Sequence, residues 1–347
     1  MSSIEQFSTA NWRETLKKNN RKTIIVISLF VLIYLAIGLL VDVSMGMAHY
    51  PNALPSQILQ ALLTLQMMPI ATLVMCAVAG ISLLVTFSFH DQLMLLGTEY
   101  HEITPETARD AVEQQLYNVV EEMKIAAGLR YMPRVYLIEA DYMNAFASGY
   151  SEKSAMVAIT RRLAEKLNRS ELQAVMAHEL SHIRHMDIKL TLMASVLANL
   201  IVMVIDMLFY SMLYSDRRRD ENDRGNAGLF MIVMLLRYLL PVINILLLMY
   251  LSRTREFMAD AGCVELTRDN QPLASALLKI QNDHLENRDA QGAEYQRTPH
   301  ENVRREAYIF DPIQAGIERT SSFSDLFSTH PDINDRLAAL GFRQSTK

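Results

Sequence analysis

Four nearly uncharged runs constrain this chain most, because each approaches the roughly 20 residues a helix needs to cross about 30 Å of hydrocarbon. Thr23 to Val41 and Met67 to Phe89 carry no charge, Leu190 to Tyr214 carries only Asp206, and Leu229 to Leu251 only Arg237. Inside a bilayer the backbone must satisfy its own hydrogen bonds, so such runs fold as helices. Half of the 347 residues are hydrophobic although 20% are charged, which suits a membrane protein with a polar domain attached. The first run is too long, and too far from the N-terminus, for a cleaved signal peptide, and reads as a retained anchor.

Charge asymmetry orients these spans. Arg13, Lys17, Lys18, Arg21 and Lys22 precede the first run, whereas Asp42 to Gln66 holds no Lys or Arg. The positive-inside rule puts the N-terminus in the cytoplasm and that loop outside. The second run returns the chain, so Asp91 to Asp187 is expected on the cytoplasmic side. The third and fourth runs form a second hairpin whose loop holds Arg217, Arg218, Arg219 and Arg224 beside Asp216, Asp220, Glu221 and Asp223. That loop leaves two readings, a spanning hairpin and a partly immersed one, with spanning favoured. Either returns the chain to the cytoplasm. Asp206 lies eight residues before one end of the hairpin and Arg237 eight after the other, so both sit roughly 12 Å from the loop end. Ionisable groups at that depth are costly unless paired, so the two are predicted to face each other.

Between the hairpins lies His178-Glu179-Leu180-Ser181-His182. Residues four apart stack on one helix face, so His178 and His182 can offer two imidazoles to one metal ion, with Glu179 beside it as a base. Ser170 with Gln173 suggests a capping box, and Leu172, Val175, Met176 and Leu180 recur at helical spacing with no Gly or Pro from Glu171 to Tyr214. Zinc suits two imidazoles and a carboxylate with one open position, and water held there loses its proton near neutrality.

The third ligand has two candidates. Cysteine is not one: the chain has only Cys76 and Cys263, with Cys76 expected as a small buried hydrophobe, and the pair gives no evidence of an oxidising compartment. The longer metzincin pattern fails, because positions 185 and 188 are His185 and Ile188. His185 lies about 10 Å further along the helix axis from His178, which favours a supporting or surface role. Glu256, in Arg255-Glu256-Phe257-Met258-Ala259-Asp260, is the better candidate. Asp260, one turn on, can fix the tautomer of a ligating histidine.

These motifs, with Asn144-Ala145-Phe146-Ala147-Ser148-Gly149 and Thr329-His330-Pro331 followed by Arg336, resemble the M48 family of membrane metallopeptidases. Its HtpX-type branch is the better match and its Ste24-type branch the more distant. The resemblance implies one Zn2+ per chain on His178, His182 and Glu256, with Glu179 as base and Asp260 orienting a histidine. It implies that Asn144, Ala145, Phe146 and Ala147 belong to an edge strand receiving the substrate backbone. It also implies that His330 and Arg336 line the site and support the developing oxyanion. Arg184-His185-Met186-Asp187 departs from the family pattern at His185.

In the polar parts, Thr107 to Gly128 reads as an amphipathic helix, Arg134 to Glu139 and Ala155 to Thr160 as strands, and Leu273 to Ile280 as a helix. Gln281 to Asp311 lacks periodicity and is expected as a loop or mobile cover with His284 and His300 solvated. Tyr295 and Tyr308 are within reach of the site without any spacing that requires it. The fold expected is a mainly α membrane protein, with four transmembrane helices and a cytoplasmic α+β zincin-like metalloprotease domain carrying a small sheet. Its parts are a cytoplasmic segment (1–22), a membrane hairpin (23–89), the first part of the protease domain (90–188), a second hairpin (189–251) and the rest of the domain (252–347). The expected partners are the bilayer and protein or peptide substrates, chiefly membrane proteins. A net charge of −5 argues against nucleic acid.

The function expected is a zinc endopeptidase of the cytoplasmic (inner) membrane, working on its cytoplasmic side; the resemblance implies a role in quality control of misfolded proteins. The rivals are a Ste24-type processing enzyme and a silent zinc-stabilised scaffold. No oligomeric state follows from the sequence.

Overall fold

The computed structural model describes residues 3–6, 12–50, 52–149, 151–216, 224–297, 307–312 and 330–345. In chain order the described elements begin with β1 (Ser3–Gln6), α1 (Trp12–His49), α2 (Pro55–Leu63), α3 (Ile70–Leu95) and β2 (Tyr100–Ile103). They continue with α4 (Ala111–Ala127), β3 (Arg134–Ile138), β4 (Ala145–Ser148), β5 (Met156–Thr160), α5 (Arg161–Lys166) and α6 (Arg169–Arg184). The last are α7 (Asp187–Asp216), α8 (Arg224–Thr267), α9 (Gln271–Glu286), α10 (Arg288–Arg297), α11 (Ile333–Leu340) and β6 (Phe342–Ser345). They fall into two compact units, residues 24–86 with 192–248 and residues 1–23 with 87–191 and 249–347.

The first of these units is apolar. The first, third and fourth runs lie inside α1, α7 and α8, the second enters α3 only at Ile70 with Met67 to Pro69 ahead of the helix, and these four helices are long and apolar enough to cross a membrane. Leu84, Met207, Met231 and Leu235 are each more than 60% exposed, which in water would be a large unfavourable surface. Lipid resolves it. Cys76, expected inside, is likewise on an exposed face of α3; a lipid-facing hydrophobe needs no protein neighbour.

Several polar groups described in this unit are paired. The Asp42 carboxylate accepts from the Ala71 and Thr72 amides at 2.7 and 3.0 Å and from the Thr72 hydroxyl at 2.7 Å, capping the first turn of α3. Arg237 Nε donates to Asp206 at 2.7 Å and its Nη2 to the Tyr210 hydroxyl at 3.0 Å, while the guanidinium lies 4.3 Å from the Phe209 ring centre. The two charges of the second hairpin therefore meet, as their matching depth requires. The charged loop Arg217–Asp223 lies outside the described residues. α2 has no counterpart in the sequence reading; Ile58 and Leu62 bury it against Val43.

The second unit is built on a four-stranded mixed sheet in the order β2-β3-β5-β4, with β3 and β5 parallel and the outer pairs antiparallel. A two-stranded pair, β1 with β6, stands apart from it. Every residue of β5 is buried, as expected of an inner strand covered on both faces. α6 packs between α4 and α9, and Leu172, Val175, Met176 and Leu180 are its fully buried core face. β2 was not anticipated, because Tyr100-His101-Glu102-Ile103 has too few apolar residues to read as a strand.

Several expected boundaries move. α4 starts at Ala111 rather than Thr107, because Asp110 caps it by accepting from the Val112 and Glu113 amides. The α6 capping box uses Asn168 and Glu171, not Ser170 and Gln173: Asn168 Oδ1 accepts the Glu171 amide and Glu171 Oε2 accepts the Asn168 amide, both at 2.9 Å. Ser170 donates its hydroxyl to Asn168 instead. The helix expected to continue past His182 breaks, with Met186 at φ 54°.

Gln281 to Asp311 is not a loop where it is described. α9 continues to Glu286 and α10 follows, while residues 298–306, His300 included, lie outside the described residues. Asp283 takes Arg162 at 2.7 Å and Gln291 at 2.8 Å, so polar side chains bind one another and hide the helical periodicity. His284 is fully buried rather than solvated, bonded to the Ile280 carbonyl at 2.8 Å and the Tyr295 hydroxyl at 3.1 Å.

Candidate metal centre

α6 presents His178 and His182 one turn apart, and α8 brings Glu256 to them. The Nε2 atoms are 3.2 Å apart; Glu256 Oε2 is 3.6 Å from His178 Nε2, and Oε1 is 3.5 Å from His182 Nε2. A tetrahedral ion with bonds of about 2.0–2.1 Å separates its ligand atoms by about 3.4 Å, so the three donors match such an ion in spacing and in chemistry. Burial disfavours a proton on either ring. At His178 the bonds to Asp260 and Glu256 outweigh it and raise the pKa to about 9, whereas at His182 burial prevails and the pKa falls to about 3. Glu256 is buried, but its contact with His178 and the nearby His330 and Arg336 hold its pKa well below the usual carboxylate range.

Glu179 is 1% exposed, and neither carboxylate oxygen has a hydrogen-bond partner among the described residues. Burial raises its pKa to about 7, with His178 and Arg336 opposing and the Ala147 amide adding a weak lowering contact short of full hydrogen-bond geometry. A buried carboxylate left without a donor needs a polar occupant beside it.

Other residues singled out in the sequence sit around this core. Asp260 Oδ1 is 3.0 Å from His178 Nδ1. Arg336 grips Asp260 with Nε at 2.9 Å and Nη2 at 2.6 Å, gives Nη1 to the Ile309 carbonyl at 2.8 Å, and lies 3.4 Å from Glu256. Its donors are thus directed at Asp260 more than at open space. His330 is buried with Nε2 3.9 Å from Glu256; Thr329 lies outside the described residues. His185 caps the end of α6 and does not join the ligands.

β4 is the free edge of the sheet, but part of that edge is covered. Phe146 bridges Tyr308, and the Ile309 amide donates to the Ala145 carbonyl at 2.9 Å. The Asn144 side chain donates to the Phe310 carbonyl at 3.0 Å and the Tyr295 hydroxyl at 3.2 Å. Tyr295 and Tyr308 therefore pack under β4, and Tyr308 meets the Tyr142 hydroxyl at 3.0 Å.

His101, Glu113 and Glu139 also lie close enough to hold an ion. There, however, Arg161 fills the space, 2.7 Å from both carboxylates, so this cluster is an ion-pair network. Sequence reasoning missed two residues at the main site, Asp187 and Arg255. The unbroken-helix assumption turned Asp187 away from His182, and Arg255 read only as a flanking charge.

Spans, sheet and centre together define an integral membrane metallopeptidase. The profile of Peptidase family M48 matches residues 110–344, and the chain belongs to that family. Its relatives include "Protease HtpX homolog" of Helicobacter acinonychis (strain Sheeba), 37% identical over 342 residues, covering 96% of this chain and 99% of the relative. "Protease HtpX homolog" of Ligilactobacillus salivarius (strain UCC118) is 34% identical over 333 residues, 94% of this chain and 98% of the relative. Among solved structures, "Crystal Structure of S. mikatae Ste24p" aligns with a TM-score of 0.48 at 17% identity, over 94% of this chain and 66% of that one.

Proposed function

We propose that this membrane metallopeptidase holds one zinc ion on His178, His182 and Glu256 and cuts peptide bonds with Glu179 as general base. The observation that carries the reading is the convergence of the two Nε2 atoms and the Glu256 carboxylate to within 3.2–3.6 Å of one another. When bound there, zinc supplies Lewis acidity, polarising a carbonyl and making water acidic. Glu179 takes the proton of the attacking water on a carboxylate oxygen and delivers it to the leaving amine, a task its pKa of about 7 suits. His330, buried beside Glu256, is the donor we assign to the developing oxyanion. Arg336 acts through Asp260, keeping that carboxylate on the His178 ring.

Substrate would add as a strand to β4. Because Tyr308 and Ile309 cover the edge at Ala145 and Phe146, we centre that strand on Ala147, whose amide lies against Glu179. Backbone pairing is sequence-tolerant, which suits clearance of misfolded or membrane-associated proteins. In this reading residues 23–89 and 189–251 are two membrane hairpins of a bacterial inner membrane. Residues 1–22, 90–188 and 252–347 are cytoplasmic. A single processed substrate, as in a dedicated processing enzyme, would give one cut; many dispersed cuts on several unfolded substrates are expected.

The deciding variant is Glu179→Gln. Zinc should remain near one equivalent by metal analysis, while cleavage falls on the order of 10²–10⁴-fold. Turnover equal to the unaltered chain would end the assignment of the base.

A further inference from the structure

α6 ends at Arg184, and the chain passes through Met186 at φ 54° before α7 begins at Asp187. A left-handed conformation strains a non-glycine residue, so something around Met186 must hold it. In an unbroken helix Asp187 would point about 140° away from His182, five residues earlier. The break instead brings Asp187 Oδ2 to 2.8 Å from His182 Nδ1. The other oxygen of that carboxylate is ion-paired with Arg255. Arg255 Nη2 also donates at 2.9 Å to the His185 carbonyl, one of those a helix end leaves unpaired. Both Asp187 and Arg255 are 3% exposed, and two buried charges are costly to desolvate unless they face each other.

The arrangement repeats what stands on the other ring, where Asp260 meets His178 and Arg336 grips Asp260. We propose that Asp187 and Arg255 are positioning residues that fix the tautomer and rotation of His182, and that the break at Met186 exists to put them there. Each histidine then has its own carboxylate and each carboxylate its own arginine. Arg255 precedes Glu256 on α8, so the strand of contacts that delivers the third ligand also locks the second. The proposal rests on His182 being a metal ligand.

The test uses the full chain in detergent, with zinc affinity measured by chelator competition and the ligand field read from the visible spectrum of the Co2+-loaded protein. Asp187→Ala should weaken zinc about 10–100-fold and shift the Co2+ bands, Asp187→Asn should recover part of both, and Arg255→Met should fall between. If Asp187→Ala does not fold, Asp187→Asn decides by the same two readouts. Affinity within twofold of the unaltered chain, with an unshifted spectrum, overturns the proposal. His182→Ala is the control: if it leaves zinc binding intact, the ligand assignment fails instead.

Discussion

Gly262 decides how closely α8 approaches α6, the helix that carries His178 and His182. A Cβ there would meet Ser181 Oγ and lie 2.9 Å from Ser181 Cβ, inside the HELSH sequence itself. Gly262→Ala should therefore destabilise the protein by about 1–3 kcal/mol through overpacking, and adding Ser181→Gly should restore much of it. Thermal unfolding of the single and double variants in detergent checks both halves. His284 supplies a pH effect. Burial lowers its pKa to about 4, so between about 6.5 and 4 the unfolded chain binds a proton that the folded chain does not. Stability is then intact near neutral pH and falls as pH drops through that window, by at most about 3 kcal/mol. In His284→Gln the decline in melting temperature between pH 7 and pH 4.5 should be smaller; an unchanged slope would assign the acid sensitivity to other groups. The sequence offered no sign of this burial, because His284 finds its partners, the Ile280 carbonyl and Tyr295, only once α9 and α10 have packed.

Among the elements, the helices of the apolar unit were the most legible, since a long uncharged run has few alternatives in lipid. The pairing of Asp206 with Arg237 followed from counting residues along two antiparallel helices. Replacing either one by Leu should destabilise the hairpin by leaving an unpaired charge, whereas the double replacement should be close to neutral. A double-mutant cycle on unfolding in detergent measures this coupling, and additive single effects would mean the charges act separately. β2 and the Asn168 cap were harder to read. β2 becomes a strand by pairing with β3 rather than through its own residues. Asn168 and Ser170 are both good caps, and the choice between them turned on Glu171 reaching back to the Asn168 amide.

For the molecule as a whole, the Lys and Arg distribution predicts an N-terminus in the cytoplasm and the loop containing α2 outside. Ser56 is exposed in that loop. Ser56→Cys should react with a membrane-impermeant thiol reagent in intact cells, whereas a cysteine at the exposed Glu121 on α4 should react only after permeabilisation. The opposite pattern would invert the proposed topology and move the metal centre to the other face.

Runs of apolar residues, a four-residue histidine spacing and a carboxylate pair one turn apart are local facts, and local facts are enough to specify spans, a helix with two stacked histidines and the chemistry proposed for them. Their meeting point is not local. Glu256 reaches His178 and His182 across a long apolar hairpin, Asp187 turns back through a left-handed residue, and Tyr308 closes part of the β4 edge. Each depends on where distant segments pack, because a hydrogen bond or an ion pair is set by separation in space and a sequence records only separation along the chain.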